Sequence, residues 1–235
     1  MITLNKLAYD LLNIVRGGKI SDDENLSIRQ IKFWINNTRA QLIRQDLNKS
    51  RSVSRNLVQS LGCVDVESVD ASLCCNLEVD CIVYRTAERI PNPIETNHKD
   101  LITRVGSVTM GTRAFQFIPY ERAAYIGNSP FEGINNSIKA FLFDRYIYLL
   151  IPNDDTVMRK INIQGVFGDP TEVGDFNPCD GNECYTDDSY YPISEHMVET
   201  MKQMIITTNF KIAASASTDS KGDGKFEVEP NTPQQ

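Results

Sequence analysis

The sequence lacks a long hydrophobic run. Its longest candidate, IKAFLFDRYIYLLI, is interrupted by Asp144 and Arg145, whereas a membrane helix needs about 18 to 20 consecutive apolar residues. The N-terminal stretch MITLNKLAYDLLNIVRGGK is amphipathic and lacks the apolar core of a signal peptide. We therefore expect a soluble protein without a membrane span that folds in the cytoplasm.

Residues and motifs that commonly carry catalysis are scarce. Only two histidines, His98 and His196, could serve as the usual general base. The chain contains no G-x-S-x-G nucleophile motif, no G-x-x-x-x-G-K-[ST] phosphate loop and no dinucleotide fingerprint. These absences predict that the protein has no catalytic residue, uses no cofactor and is not an enzyme.

Cysteine is present but in no pattern that favours a metal site. The six cysteines are Cys63, Cys74, Cys75, Cys81, Cys179 and Cys184. A Cys179–Cys184 disulfide is geometrically conceivable, but a long chain without a signal peptide favours reduced, mostly buried thiols. Zinc would need a second ligand pair in addition to Cys179 and Cys184. The carboxylates around these two cysteines lack EF-hand spacing, so the sequence predicts no metal site.

Charge is unevenly divided along the chain. Residues 1–60 carry 10 Lys and Arg against 5 Asp and Glu, and residues 61–235 carry 14 against 26. The two parts therefore have charges of +5 and −12, which together give the net charge of −7. A net acidic chain is a poor general binder of nucleic acid. Complementarity between subunits or within one chain explains the division, and two merely solvated faces explain it equally well.

Two helices are predicted near the N-terminus. An apolar stripe at helical spacing ends before Gly17 and Gly18, and it comprises Leu4, Leu7, Ala8, Leu11, Leu12 and Val15. A second helix should begin after Ser27, which with Gln30 forms a capping-box pattern. Its apolar stripe comprises Ile28, Ile31, Trp34, Ile35, Thr38 and Leu42, while the basic residues of the other faces are Arg29, Lys32, Arg39 and Arg44.

The middle of the chain has the pattern of a β domain, and a third helix follows it. Short β-branched or aromatic runs such as CIVYRTAERIP, KAFLFDRYIYLLI and RKINIQGVF are separated by turn residues. After Asp169 and Pro170, Ser194 can cap a helix whose apolar face includes Met197 and Met201. We predict an α+β fold, in which a helical bundle from the N-terminal pair and the C-terminal helix flanks an inserted, mostly antiparallel β domain.

Four segments follow from this pattern. Residues 1–60 supply the N-terminal bundle helices, 61–170 the β-rich insertion, 171–215 an acidic connector with the C-terminal bundle helix, and 216–235 a flexible tail. The tail stretch KFEVEP alternates apolar and acidic residues, which suits addition as a strand to the sheet of a partner. Its candidate partner-binding residues are Lys225, Phe226, Glu227, Val228 and Glu229.

The order of these elements resembles the head-to-tail adaptor or ring proteins of short-tailed phages, the tail tubular protein A type. The resemblance is greatest to the ring proteins of the crAss-like phages, and it covers nearly the whole chain. Its most specific parts are residues 1–46, the strand and turn at 163–173, and the helix at 191–213. None of these parts is a catalytic motif.

The resemblance implies a structural virion protein of the neck or tail. In such proteins multiple copies, generally twelve, form a ring beneath the portal protein and contact other ring or tail proteins. The ring continues the channel through which genomic DNA passes without sequence-specific binding. Under this interpretation 161–188 is a connector, and Asp169→Ala or Cys184→Ser should leave assembly intact. Two alternatives are a soluble metal-binding accessory or regulatory protein and an assembly chaperone absent from the virion.

Overall fold

The computed structural model describes residues 2–15, 27–50, 52–70, 82–97, 100–108, 114–123, 137–151, 159–176 and 184–210. The predicted tail residues 225–229, His98 and Cys179 lie outside these ranges. The fold class is α+β, as predicted, because helices from both ends of the chain pack beside a mixed, curled sheet. The exact domain boundaries remain predictions.

The helices form where the apolar spacing predicts them. Helix α1 spans Leu4–Val15 and helix α2 spans Ile28–Ser50. Ser27 caps α2, since the backbone N–H of Gln30 donates to its Oγ over 3.2 Å. After the short helix α3 (Tyr120–Ala123), helix α4 spans Glu195–Met204 and continues as a π-helical segment, Ile205–Phe210. No helix among the described residues is long and apolar enough to cross a bilayer.

The helices from the two ends of the chain pack together. Helix α2 contacts α1, α4 and the π-helical segment. The Trp34 ring meets the Phe210 ring edge to face at 5.3 Å, and the ammonium of Lys202 lies 3.6 Å from the carboxylate of Asp10. The predicted bundle of N-terminal and C-terminal helices is therefore present.

The β region contains eight described strands. They are β1 (Gln59–Ser60), β2 (Val64–Asp70), β3 (Ile82–Thr86), β4 (Ile102–Ser107), β5 (Gln116–Phe117), β6 (Lys139–Phe143), β7 (Tyr146–Leu150) and β8 (Lys160–Gly165). Strand β8 is central: β4 pairs along one edge, and β2 and β1 pair in succession along the other. From β2 the sheet continues through β3, β7 and β6 to β5. Of these pairings, β5 with β6 is parallel and the others are antiparallel.

The sheet curls until its two ends meet. Ala114, just before β5, forms a bridge to Gly106 of β4, and the backbone N–H of Phe115 donates to the carbonyl of Val105 over 2.8 Å. Strands β6 and β7 form a tight hairpin whose two turn residues, Asp144 and Arg145, have φ of 48° and 65°. Positive φ at both positions is the signature of a type I′ turn, whose twist matches that of the strands. Asp144 and Arg145, which interrupt the hydrophobic run in the sequence, thus form the turn at which the chain reverses direction.

One large apolar core joins the helices to the sheet. It contains buried residues of every layer, among them Leu11 of α1, Ile35 of α2, Ile163 of β8 and Met201 of α4. A smaller aromatic cluster lies on the other face of β3, β6 and β7 beneath α3, where the rings of Phe141 and Tyr148 stack at 5.2 Å. The helices and the sheet are therefore held by shared burial of apolar surface.

Cys63 corrects one sequence-based expectation. This residue, just before β2, is disulfide-bonded, so the prediction of reduced thiols is wrong for it. The compartment argument applies to thiols in general. That argument does not consider which cysteines the fold brings together.

Gly165 provides a test of packing at the centre of the sheet. A Cβ there would lie 3.0 Å from the carbonyl oxygen of Leu101 and 3.2 Å from the ring of Phe167. We expect Gly165→Ala to lower the free energy of unfolding in urea by about 1–3 kcal/mol, because the added methyl overfills a packed site. Gly168→Ala is the control, since its Cβ would meet its nearest atom at 3.6 Å. Equal stability of the two variants would contradict this packing.

Candidate functional site

The stretch 161–188 joins the sheet to the helical bundle. It begins as β8, turns at Phe167–Asp169 and continues as the 3₁₀ helix Pro170–Asp175. Asp169 caps this helix, because its Oδ1 accepts hydrogen bonds from the backbone N–H and the hydroxyl of Thr171 at 2.9 and 2.7 Å. The described residues after 183 then lead into α4. The described residues of this stretch thus connect the sheet to α4, and their side chains hold the stretch in place.

A buried arginine lies at this junction. Arg39 of α2 has an exposed fraction of 0%. Its Nη1 donates to the carbonyl of Phe167 over 2.7 Å, and its Nε donates to the carbonyl of Pro192 over 2.6 Å. Its guanidinium also lies over the ring of Tyr191, 5.8 Å from the centroid. One side chain of α2 therefore binds both the turn that ends the sheet and the segment that begins α4.

Burial sets the electrostatics of this junction. Desolvation lowers the pKa of Arg39, although Tyr191, Tyr185 and Asp169 oppose that shift. Desolvation also raises the pKa of Tyr191 and of Tyr185 above the ordinary tyrosine range. Both phenols thus remain neutral at physiological pH. The Tyr191 hydroxyl donates to Asn36, whereas the buried Tyr185 hydroxyl has no hydrogen-bond partner among the described residues.

A second residue of α2 extends the junction. Asn36 donates through Nδ2 to Oδ1 of Asp169 over 2.8 Å, and its Oδ1 accepts a hydrogen bond of 2.8 Å from the hydroxyl of Tyr191. Asn36 and Arg39 lie one turn apart on α2. Asn36 thus links Asp169, Thr171 and Tyr191 by hydrogen bonds, and Arg39 lies over the Tyr191 ring. We call these five residues, at the border of the apolar core, the junction cluster.

The sequence analysis placed Arg39 wrongly on an outer face of α2. The signal was present, because Arg39 lies four residues after Ile35 and three before Leu42, and both of these neighbours are buried. Charge alone suggested exposure, since an arginine is almost never fully buried unless it is paired. Its partners here are two main-chain carbonyls, which a sequence pattern does not reveal.

The acidic residues of the connector are largely used in contacts within the chain. Asp187 pairs with Lys32 of α2, and Asp188 accepts a hydrogen bond of 2.6 Å from Asn5 of α1. Glu172 lies 3.1 Å from Arg145 in the β6–β7 turn. Part of the charge complementarity between the two ends of the chain is therefore intramolecular. Across the described residues, no group of three or more His, Cys, Asp or Glu side chains could hold a metal ion.

Two surface features lie outside the junction cluster. All four large hydrophobic side chains that are exposed among the described residues belong to the N-terminal helices: Tyr9, Ile14, Val15 and Phe33. Phe33 is 62% exposed. In addition, an open cleft of about 620 Å³ lies between the end of α2, the segment after it and the start of α4, and it includes Asp46, Glu195 and His196. Exposed apolar groups and clefts are typical of interaction surfaces.

The junction cluster can be tested by removing its central side chain. We expect Arg39→Ala to lower the free energy of unfolding by about 3–5 kcal/mol, because it opens a cavity and leaves two buried carbonyls without a donor. Arg39→Lys should be intermediate, since an ammonium lacks the guanidinium fork. Arg44→Ala, at an exposed position of the same helix, should change stability by less than about 0.5 kcal/mol. Similar urea curves for Arg39→Ala and Arg44→Ala would contradict this role.

The hydrogen bonds of Asp169 predict that Asp169→Ala is less stable than the wild type, and that this variant still assembles remains a prediction. The variant loses the cap of the 3₁₀ helix and the partner of Asn36, so we expect a loss of about 1–2 kcal/mol in thermal or urea unfolding. Asp175→Ala is the control, because Asp175 ends the same 3₁₀ helix at an exposed position. A variant at 169 as stable as the control would mean that these hydrogen bonds contribute nothing net.

Comparison with known proteins gives one informative result. No curated protein matches the sequence. A family model described as phage tail ring protein 2 matches residues 6–227. The matched range contains nearly all of α1, the whole curled sheet, the connector and α4. Because the match covers most of the chain, the chain belongs to the tail ring protein 2 family of the crAss-like phages.

Proposed function

We propose that this protein is a connector subunit, copies of which form a ring that joins the portal to the tail and continues the DNA channel. Membership of a phage tail ring family carries the proposal, since that family is structural. Under this proposal the protein is not an enzyme and belongs to the neck or tail region of the virion, after synthesis and assembly in the host cytoplasm.

Self-association is supported by the surface of the N-terminal helices. A ring subunit needs two different surfaces that bind each other in neighbouring copies. The four exposed apolar side chains of α1 and α2 supply the kind of group that a protein interface buries. The junction cluster links the helical bundle to the sheet, which suits a ring subunit whose helices and sheet must keep a fixed arrangement. The resemblance to adaptor proteins favours a ring of about twelve copies.

The partners follow from the same proposal. One end of the ring would contact the portal, and the other would contact further ring or tail proteins. Genomic DNA would pass through the lumen without sequence-specific contacts, and the net charge of −7 suits this passage because few fixed cations would retain phosphates. The tail residues Lys225, Phe226, Glu227, Val228 and Glu229 would add as a strand to the sheet of the portal or of a neighbouring subunit.

The first test is the mass of the purified protein by light scattering, alone and after mixing with the preassembled portal ring of the same phage. We expect a ring-sized species and saturable binding to the portal. A protein that stays at 26.5 kDa under both conditions would contradict the proposal. Quantitative proteomics of purified virions separates the connector from a chaperone, which would be absent from finished particles.

Phe33 tests the contribution of the N-terminal helices. We expect Phe33→Ser to weaken assembly at least tenfold, because exposed aromatic side chains are the usual anchors of interfaces and burying one contributes on the order of 2 kcal/mol. Circular dichroism should be unchanged, since the ring lies outside the core. Asn37→Ser, an exposed position one turn further along α2, is the matched control. Assembly of Phe33→Ser at the wild-type concentration would exclude Phe33 from the interface.

A further inference from the structure

The exposed face at the start of α2 carries two side chains that commonly anchor protein interfaces. Arg29 and Phe33 lie four residues apart, so they project from the same face of the helix. Both are exposed, and Phe33 has the largest exposed fraction, 62%, of the large hydrophobic side chains in the described part of the chain. Arginine and aromatic residues are enriched among the positions that dominate binding energy. We call this pair the α2 knob.

The cleft at the other end of α2 has the complementary chemistry. The cleft is lined by two acidic residues, Asp46 and Glu195, and also by three serines, Asn56 and His196. Val53 adds an apolar contact surface beside these acceptors. A guanidinium has five N–H donors and no acceptor, so it matches a wall of carboxylate and hydroxyl oxygens. The cleft, of about 620 Å³, can therefore accept an arginine together with part of an aromatic ring.

One copy of the protein cannot fill its own cleft. Arg29 and Asp46 are both on α2, and 17 residues of helix separate them by about 26 Å. That distance is several times the length of an arginine side chain. The knob and the cleft are thus non-overlapping surfaces at opposite ends of a single helix, which is the arrangement that a head-to-tail contact requires.

We infer that the α2 knob of one subunit docks into the Asp46–Glu195 cleft of the next, with Arg29 paired to Glu195 and Phe33 packed against Val53. The inference rests on the proposed ring and names the surfaces that form it. Helix α2 then supplies one half of the contact at its start and part of the other half at its end. The same helix carries Arg39 of the junction cluster between these two surfaces.

Charge reversal tests the pairing, under the condition in which the wild-type protein assembles. We expect Arg29→Glu and Glu195→Arg each to weaken association at least about tenfold, because each places like charges against each other. The double variant should recover a large part of the loss. The controls are Arg122→Glu and Glu121→Arg, which reverse exposed charges on α3 and should assemble as the wild type does. Circular dichroism confirms that all variants are folded.

A mixing experiment tests the head-to-tail geometry. The Arg29→Glu chain keeps an intact cleft, and the Glu195→Arg chain keeps an intact knob. Mixed in equal amounts, they can form the native contact between Arg29 and Glu195 and also the charge-reversed contact of the double variant, so native mass spectrometry should show assemblies that contain both chains. Two single variants that assemble like the wild type would overturn this contact while leaving the ring proposal in place. Variants that are monomeric alone and give no mixed assembly would also overturn it. A wild-type chain that assembles under no condition would instead refute the proposed function itself.

Discussion

The guanidinium of Arg39 holds together parts of the chain that are far apart in sequence. Its two acceptors belong to Phe167, which lies 128 residues away, and to Pro192, which lies 153 residues away. Burying a cation is costly unless its donors are satisfied. Here Nε and Nη1 reach carbonyls and the group lies over the Tyr191 ring, while Nη2 has no hydrogen-bond partner among the described residues. Arg39 thus stabilises this arrangement of helix, turn and connector against other packings of the same apolar surfaces.

The rest of the junction cluster depends on that placement. Once Arg39 positions the turn after β8, Asp169 can accept from Asn36 and from Thr171, and Tyr191 can donate to Asn36. The helices and the sheet then share one apolar core. Under the proposed ring function, this shared core would hold the surfaces that contact neighbouring subunits, portal and tail in a fixed arrangement. It also leaves the outer faces of α1 and α2 available for interaction.

Much of the fold could be predicted because it depends on local periodicity. The stripe from Leu4 to Val15, the cap at Ser27 and the helix after Ser194 are each specified by residues within a few turns of one another. The β6–β7 hairpin is also local, since Asp144 and Arg145 sit between two hydrophobic runs and reverse the chain. The site was predicted less well. The strand and turn at the start of 161–188 were predicted, but the polar network that fixes them was not, and Arg39 was assigned to the wrong face.

The sequence by itself determined the elements, their order, the α+β class and the resemblance to phage ring proteins, because each follows from short-range spacing or from the succession of segments. Only the tertiary structure decided which charges are buried, how the sheet closes between β4 and β5, and that Cys63 is disulfide-bonded. The physical reason is range. A helix is specified by neighbours three and four residues apart, whereas the surroundings of a side chain such as Arg39 are set by groups more than a hundred residues away, which meet only when the core forms.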